Sequence, residues 1–167
     1  MMNKRMNQHA VTGCFVALLA LAPLAASRAQ TAEQPIAVLQ GKKPGTRLEI
    51  LSLKRSDDDM LTLRLAYVNE AQGKVLNGDL PGLTVGGDSG HGNMIFLMDF
   101  SHKKRYAVVA DSSGKCLCTT NFFAPSNWTF DPGRKVVWAK YPAPPDAMTR
   151  ISVLIGEEEP IDVPITQ

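Results

Sequence analysis

The chain has 167 residues, 44% of them hydrophobic and 20% charged, with 18 lysines and arginines against 16 acids and a formal net charge of +2. That length suits one domain and excludes large catalytic barrels, which need roughly 250 residues. Three of the cations, Lys4, Arg5 and Arg28, fall within residues 1–29, where there is no acid. The rest of the chain is therefore close to neutral and lacks the basic balance expected of a nucleic-acid binder.

Lys4 and Arg5 precede an apolar run from Val11 to Ala26, and Ser27-Arg28-Ala29 places small residues where a signal peptidase reads them. Residues 1–29 are thus expected to be a cleaved secretory signal, with the mature protein in the bacterial periplasm or outside the cell. Cys14 leaves with the signal, since it stands before nearly all of the apolar run and cannot be a lipidation site. No later segment approaches the length of a membrane span, about 20 apolar residues.

Residues 30–45 are polar, contain Pro35 and Pro44, and show one short apolar patch at Ile36 to Leu39, which reads as a tether or a loosely docked first edge. From residue 46 the period changes to two. Leu48 and Ile50 alternate with Arg47 and Glu49, and Leu61, Leu63, Leu65 and Tyr67 alternate with Thr62, Arg64 and Ala66, so both runs are half-buried strands. Ser56-Asp57-Asp58-Asp59 between them is a hairpin turn, because short acidic side chains satisfy their own backbone. Residues 69–93 are rich in glycine and loops. Ile95 to Phe100 reads as a strand, His102 to Arg105 as a charged turn, Tyr106 to Ala110 as the partner strand and Asp111-Ser112-Ser113-Gly114 as another turn, after which Cys116 to Thr119 continues the meander. Asp131-Pro132-Gly133 launches the strand Val136 to Tyr141, in which Trp138 is expected in the core. Ile151 to Ile155 and Ile161 to Ile165 close the chain, with Pro164 making the last an edge strand. About seven to nine short strands, frequent turn signals and no helical period predict an all-β antiparallel sandwich over residues 46–167.

The run from Asp111 through Lys115-Cys116-Leu117-Cys118-Thr119, then Asp131-Pro132-Gly133, Trp138 to Pro145, and Asp162-Val163-Pro164-Ile165 resembles a group of uncharacterised secreted bacterial domains. The resemblance covers roughly residues 48 to 165 and implies an immunoglobulin-like sandwich. Some members of that group accompany cell-envelope proteins of the peptidoglycan-binding OmpA type. It implies no activity, and this chain lacks a recognisable peptidoglycan-binding segment after the sandwich.

Cys116 and Cys118 are the only cysteines left once the signal is removed, and they have three fates open to them: a disulfide with each other, free thiols, or metal and redox work. On a regular strand, residues two apart lie about 6.5 to 7 Å apart on one face, so bridging needs a local bend. His91, Met94, Met98 and His102 could join the thiols, because soft sulfur with imidazole suits copper(I). Gly87-Asp88-Ser89-Gly90 has the letters of a serine-protease nucleophile loop, yet the upstream histidine, His9, leaves with the signal. Asp57 to Asp59, Asp111 with Ser113, and Glu157 to Glu159 lack calcium-loop spacing and read as solvated turns. Phe122, Phe123, Trp128 and Phe130 form an aromatic loop that could anchor a partner. The expected function is a non-enzymatic binding module of the cell envelope, without a resident cofactor, whose partner is an envelope protein or a glycan and not a nucleic acid. The alternative is a periplasmic copper-binding protein that uses the Cys-Leu-Cys pair with nearby Met and His.

Overall fold

The computed structural model describes residues 33–56, 58–81, 95–119 and 129–167. Their regular structure is β, and one turn of 3-10 helix at Asn77–Asp79 is their only helical element. Among the described residues ten strands run in chain order: β1 (Ala37–Gln40), β2 (Thr46–Ser56), β3 (Met60–Asn69), β4 (Val75–Leu76), β5 (Ile95–Asp99), β6 (Lys104–Tyr106), β7 (Thr129–Phe130), β8 (Gly133–Pro142), β9 (Arg150–Ile155) and β10 (Ile161–Pro164). The count exceeds the expected seven to nine because β4 and β7 are two-residue pieces paired only with each other. No helix among the described residues is long and apolar enough to cross a membrane.

The strand pairs among the described residues are all antiparallel: eight strands form two four-stranded sheets, ordered β1-β2-β3-β8 and β10-β9-β5-β6, and β4 and β7 make a separate two-stranded pair. The alternation read from the sequence sets their inner faces. Leu48, Ile50, Leu61, Leu63, Leu65 and Tyr67 from the first sheet share one hydrophobic cluster with Ile95, Leu97, Ile151, Val153 and Ile155 from the second. Each of these is at most 3% exposed, so truncating one leucine to alanine removes about 2–5 kcal/mol. A buried hydrogen bond from the Tyr141 hydroxyl of β8 to the Ile95 carbonyl of β5, 3.2 Å, ties the two sheets together. Burial pushes the Tyr67 and Tyr141 phenols well above their ordinary pKa, so both stay neutral.

The ladder between β2 and β3 is broken once. Ile50 opposes Leu65 and Ser52 opposes Arg64, which leaves Leu51 as an extra residue in a β-bulge. Leu51 turns away from the main core and packs with Ala66 and Val68 in a second, smaller cluster. The bulge also lets Ile50 and Leu53 both point inward although they are three residues apart.

Residues 36–39, expected as tether or loose edge, contribute to β1, which pairs with β2 from Ala37↔Ile50 to Gln40↔Arg47. Its entry into β2 is tight. A methyl on Gly41 would run into the Thr46 hydroxyl and the Asp79 carbonyl, so glycine is needed for this close approach. At the other end of the chain β10 is an edge strand, as Pro164 requires. Beyond it Thr166 crosses to the first sheet and exchanges backbone hydrogen bonds with Leu53 and Arg55.

Candidate functional site

The segment after β6 leaves the second sheet and docks on the edge of β8 that β3 does not occupy. The Val109 amide donates to the Lys140 carbonyl, 2.9 Å, and the Lys140 amide donates to Leu117, 2.9 Å. Leu117 in turn donates to Val109, 2.8 Å, so three segments close one hydrogen-bonded ring. This is why Tyr106 to Ala110 does not form the long partner strand expected for β5: only Lys104–Tyr106 pairs, and Val109 serves β8 instead. The tip of the segment is an Asp turn. Asp111 Oδ1 accepts from the Ser113 amide (2.9 Å), the Ser113 hydroxyl (2.6 Å) and the Lys115 amide (2.9 Å), and Gly114 supplies the positive φ of 82°. These bonds, led by that from the Ser113 hydroxyl, hold the carboxyl below the usual range.

Cys116 and Cys118 lie at the base of this turn and form a close pair joined as a disulfide, with Cα atoms 5.3 Å apart. The spacing is shorter than that of a regular strand because each cysteine makes only an isolated bridge, Cys116 to Ala110 and Cys118 to Ala139, with a bend at Leu117. Both side chains pack against the main core, while Leu117 is 41% exposed. A cleft of about 360 Å³ lies beside Cys116 and Leu117, between Val109 and Lys115. Bonded to each other, the two sulfurs are neither metal ligands nor nucleophiles until a reductant opens them.

A second Asp turn joins β5 to β6. Asp99 is 6% exposed, and it accepts from the Ser101 hydroxyl (2.5 Å) and the His102 amide (3.1 Å) and meets His102 Nδ1 at 2.7 Å. The Ser101 hydroxyl bond is the largest reason the carboxyl is held down to about 2; burial opposes it, and the two contacts from His102 add to it. Aspartate, histidine and serine meet here without forming a hydrolytic triad. In a triad the imidazole stands between carboxylate and hydroxyl and uses both ring nitrogens. Here Nδ1 faces both Asp99 and Ser101, and Ser101 gives its proton to Asp99. The constellation caps a turn.

The solvent-facing side of the first sheet carries a mixed surface. Glu49 lies 6% exposed between Arg47 Nε (2.8 Å) and Arg134 Nε (3.0 Å). Burial pushes Glu49 up, but the hydrogen bonds from the two arginines outweigh it and leave the carboxyl below its ordinary value. Trp138 is on this side as well. The sequence expectation of a core tryptophan is corrected: Trp138 is 38% exposed, and it is Val137, Ala139 and Tyr141 that face inward. Trp138 opposes Arg64 on β3, whose neighbours Leu63 and Leu65 are the inward ones. Val136 (38% exposed) lies two residues away on the same side.

Of the aromatic loop expected to meet a partner, Phe130 is 6% exposed and belongs to the core, paired with Val75 across β4 and β7. Phe122, Phe123 and Trp128 lie outside the described residues, as do His91, Met94 and the Gly87 to Gly90 loop. Met98 and His102 sit on β5 and the turn after it, whereas Cys116 and Cys118 sit on the edge of β8. Among the described residues no group of three or more His, Cys, Asp or Glu is arranged to hold a metal ion. The sequence reading did not single out the Asp99 and His102 pair or the outward Trp138. Asp99-Phe100-Ser101-His102 carries the signal of an Asx turn and could have disclosed the first. Comparison with known proteins finds no matching family model, curated protein or solved structure.

Proposed function

We propose that this chain is an exported, non-enzymatic interaction module of the bacterial cell envelope, an immunoglobulin-like sandwich that holds an envelope protein or glycan on the outer side of its first sheet. The observation that carries the reading is Trp138. A large ring 38% exposed beside Val136, on a strand whose other face is locked into the core, is a rigid amphipathic contact that costs little ordering entropy to use. Leu117, 41% exposed on the strand-like segment hydrogen-bonded to β8, extends the same apolar area. The export signal of residues 1–29 accounts for a disulfide-compatible compartment.

The test has two arms. The mature protein is incubated with isolated peptidoglycan sacculi, and in parallel carries a photo-crosslinking residue at position 136 in periplasm, with Trp138 intact. Retention on sacculi that Trp138→Ala abolishes, or a discrete crosslinked partner lost with Trp138→Ala, supports the reading. Neither, from a protein whose intact mass begins near Gln30, overturns it. Alkylatable thiols together with retained copper in that same mass spectrum would turn the assignment to the soft-metal carrier.

A further inference from the structure

Six consecutive residues, Phe100 to Arg105, are exposed along the turn after β5 and the first two positions of β6. Phe100, at its start, is 56% exposed. Lys103, Lys104 and Arg105 follow within five residues, and among the described residues no carboxylate forms an ion pair with any of the three. The acid closest in sequence, Asp99, is spent inside the turn on Ser101 and His102. Two of the cations are held in place by aromatic faces: the Arg105 guanidinium lies 4.5 Å from the centre of the Phe96 ring, and Lys104 Nζ lies 4.8 Å from that of Tyr106. Lys103 adopts a left-handed φ of 52°, which bends the backbone into the hairpin. A chain that is close to neutral without residues 1–29 thus concentrates uncompensated positive charge around one exposed ring.

We infer that this hairpin tip is a peripheral docking element for an anionic bilayer surface, with Lys103, Lys104 and Arg105 meeting lipid phosphates and Phe100 entering the headgroup boundary. The shape favours a bilayer over a glycan or peptide. A cleft of about 380 Å³ beside the turn is lined by Phe100 and Ser101 but by none of Lys103, Lys104 and Arg105, so the three cations do not serve it; a flat anionic surface can meet cations spread along a hairpin without a groove. Charge and an apolar ring are also the two signals whose sum makes reversible membrane association effective. The Asp99 cap fixes the turn before it meets the surface, so little ordering is left to do on contact. The inference is independent of the partner proposed for Trp138, which belongs to the other sheet.

Co-sedimentation of the full mature chain with vesicles tests it, using phosphatidylcholine alone and phosphatidylcholine mixed with phosphatidylglycerol. Binding to the mixed vesicles is expected to be at least about tenfold tighter and to weaken with added salt. Lys103→Glu with Lys104→Glu and Arg105→Glu should remove that preference. Phe100→Ser should weaken binding severalfold while keeping the salt dependence, and Trp138→Ala should leave it unchanged. In the variant Phe100→Trp, the fluorescence difference from the parent protein should shift to the blue on adding mixed vesicles. If the charge-reversed chain fails to fold, Lys103→Gln with Lys104→Gln and the salt titration of the parent protein decide the matter. Equal binding to both vesicle types overturns the inference. So does full binding by the charge variants, or capture by soluble polyphosphate without any vesicle binding.

Discussion

Two turns of this protein are written almost alike and are held in different ways. Asp99-Phe100-Ser101 and Asp111-Ser112-Ser113 each place an aspartate two residues before a serine, and each carboxylate takes the serine hydroxyl together with backbone amide donors, one at Asp99 and two at Asp111. Asp99, however, ends a core strand at 6% exposure and also grips His102, whereas Asp111 is exposed and closes a loop that the Cys116 and Cys118 bond ties off behind it. The same motif is part of the framework where it is buried, and a local convenience where it is not.

Replacing the two aspartates separately would break this comparison if it is wrong. The largest effect is expected from Asp99→Ala, which strips the acceptor from the Ser101 hydroxyl and the His102 amide at a buried site; a calorimetric scan should show Tm lowered by about 5 °C or more. A smaller effect of the same origin concerns acid. The Asp99 carboxyl lies at about 2 when folded against about 3.9 unfolded, so its contribution is complete above roughly pH 4 and is lost as the pH falls toward 2. Stability followed by denaturant titration across that window should slope less in Asp99→Asn than in the parent protein, whereas an equal slope would deny the cap its role.

The other turn should respond locally. Cys116→Ser with Cys118→Ser opens a loop between residues only two apart, which restrains little unfolded-chain entropy, so Tm should fall by no more than about 3 °C. Hydrogen exchange should nonetheless quicken at the Leu117 and Lys140 amides, whose bonds hold the segment to β8. The smallest effect is expected from Asp111→Ala, with Tm within about 2 °C of the parent and the change in exchange confined to the Ser113 and Lys115 amides.

Where the sequence alternates cleanly, its reading and the structure agree. Leu61, Leu63, Leu65 and Tyr67 announce both a strand and the face it buries, and Asp58 and Asp59 fall in the turn expected between β2 and β3. Val136-Val137-Trp138-Ala139 is apolar throughout, so composition cannot say which pair faces inward; the register with Arg64 decides it, and that is a property of β3. Glu49 is outward as its alternation requires but buried, because Arg47 and Arg134 close over it, and one of the two comes from a distant strand. Tyr106 to Ala110 looks like a strand and is one only at its first residue, because a better hydrogen-bonding partner, the free edge of β8, lies within reach of Val109.

The bulge at Leu51 gives β2 an unusual tolerance. Losing one residue from a half-buried strand ordinarily rotates every later side chain to the wrong face. Leu51 is the supernumerary residue of its ladder, so excising it leaves Leu48, Ile50 and Leu53 in strict alternation with Glu49 and Ser52, and every inward side chain keeps its place. The cost is confined to the small cluster with Ala66 and Val68. A codon deletion at this point of β2 is therefore survivable, while the same deletion at Leu48 or Leu53 is not.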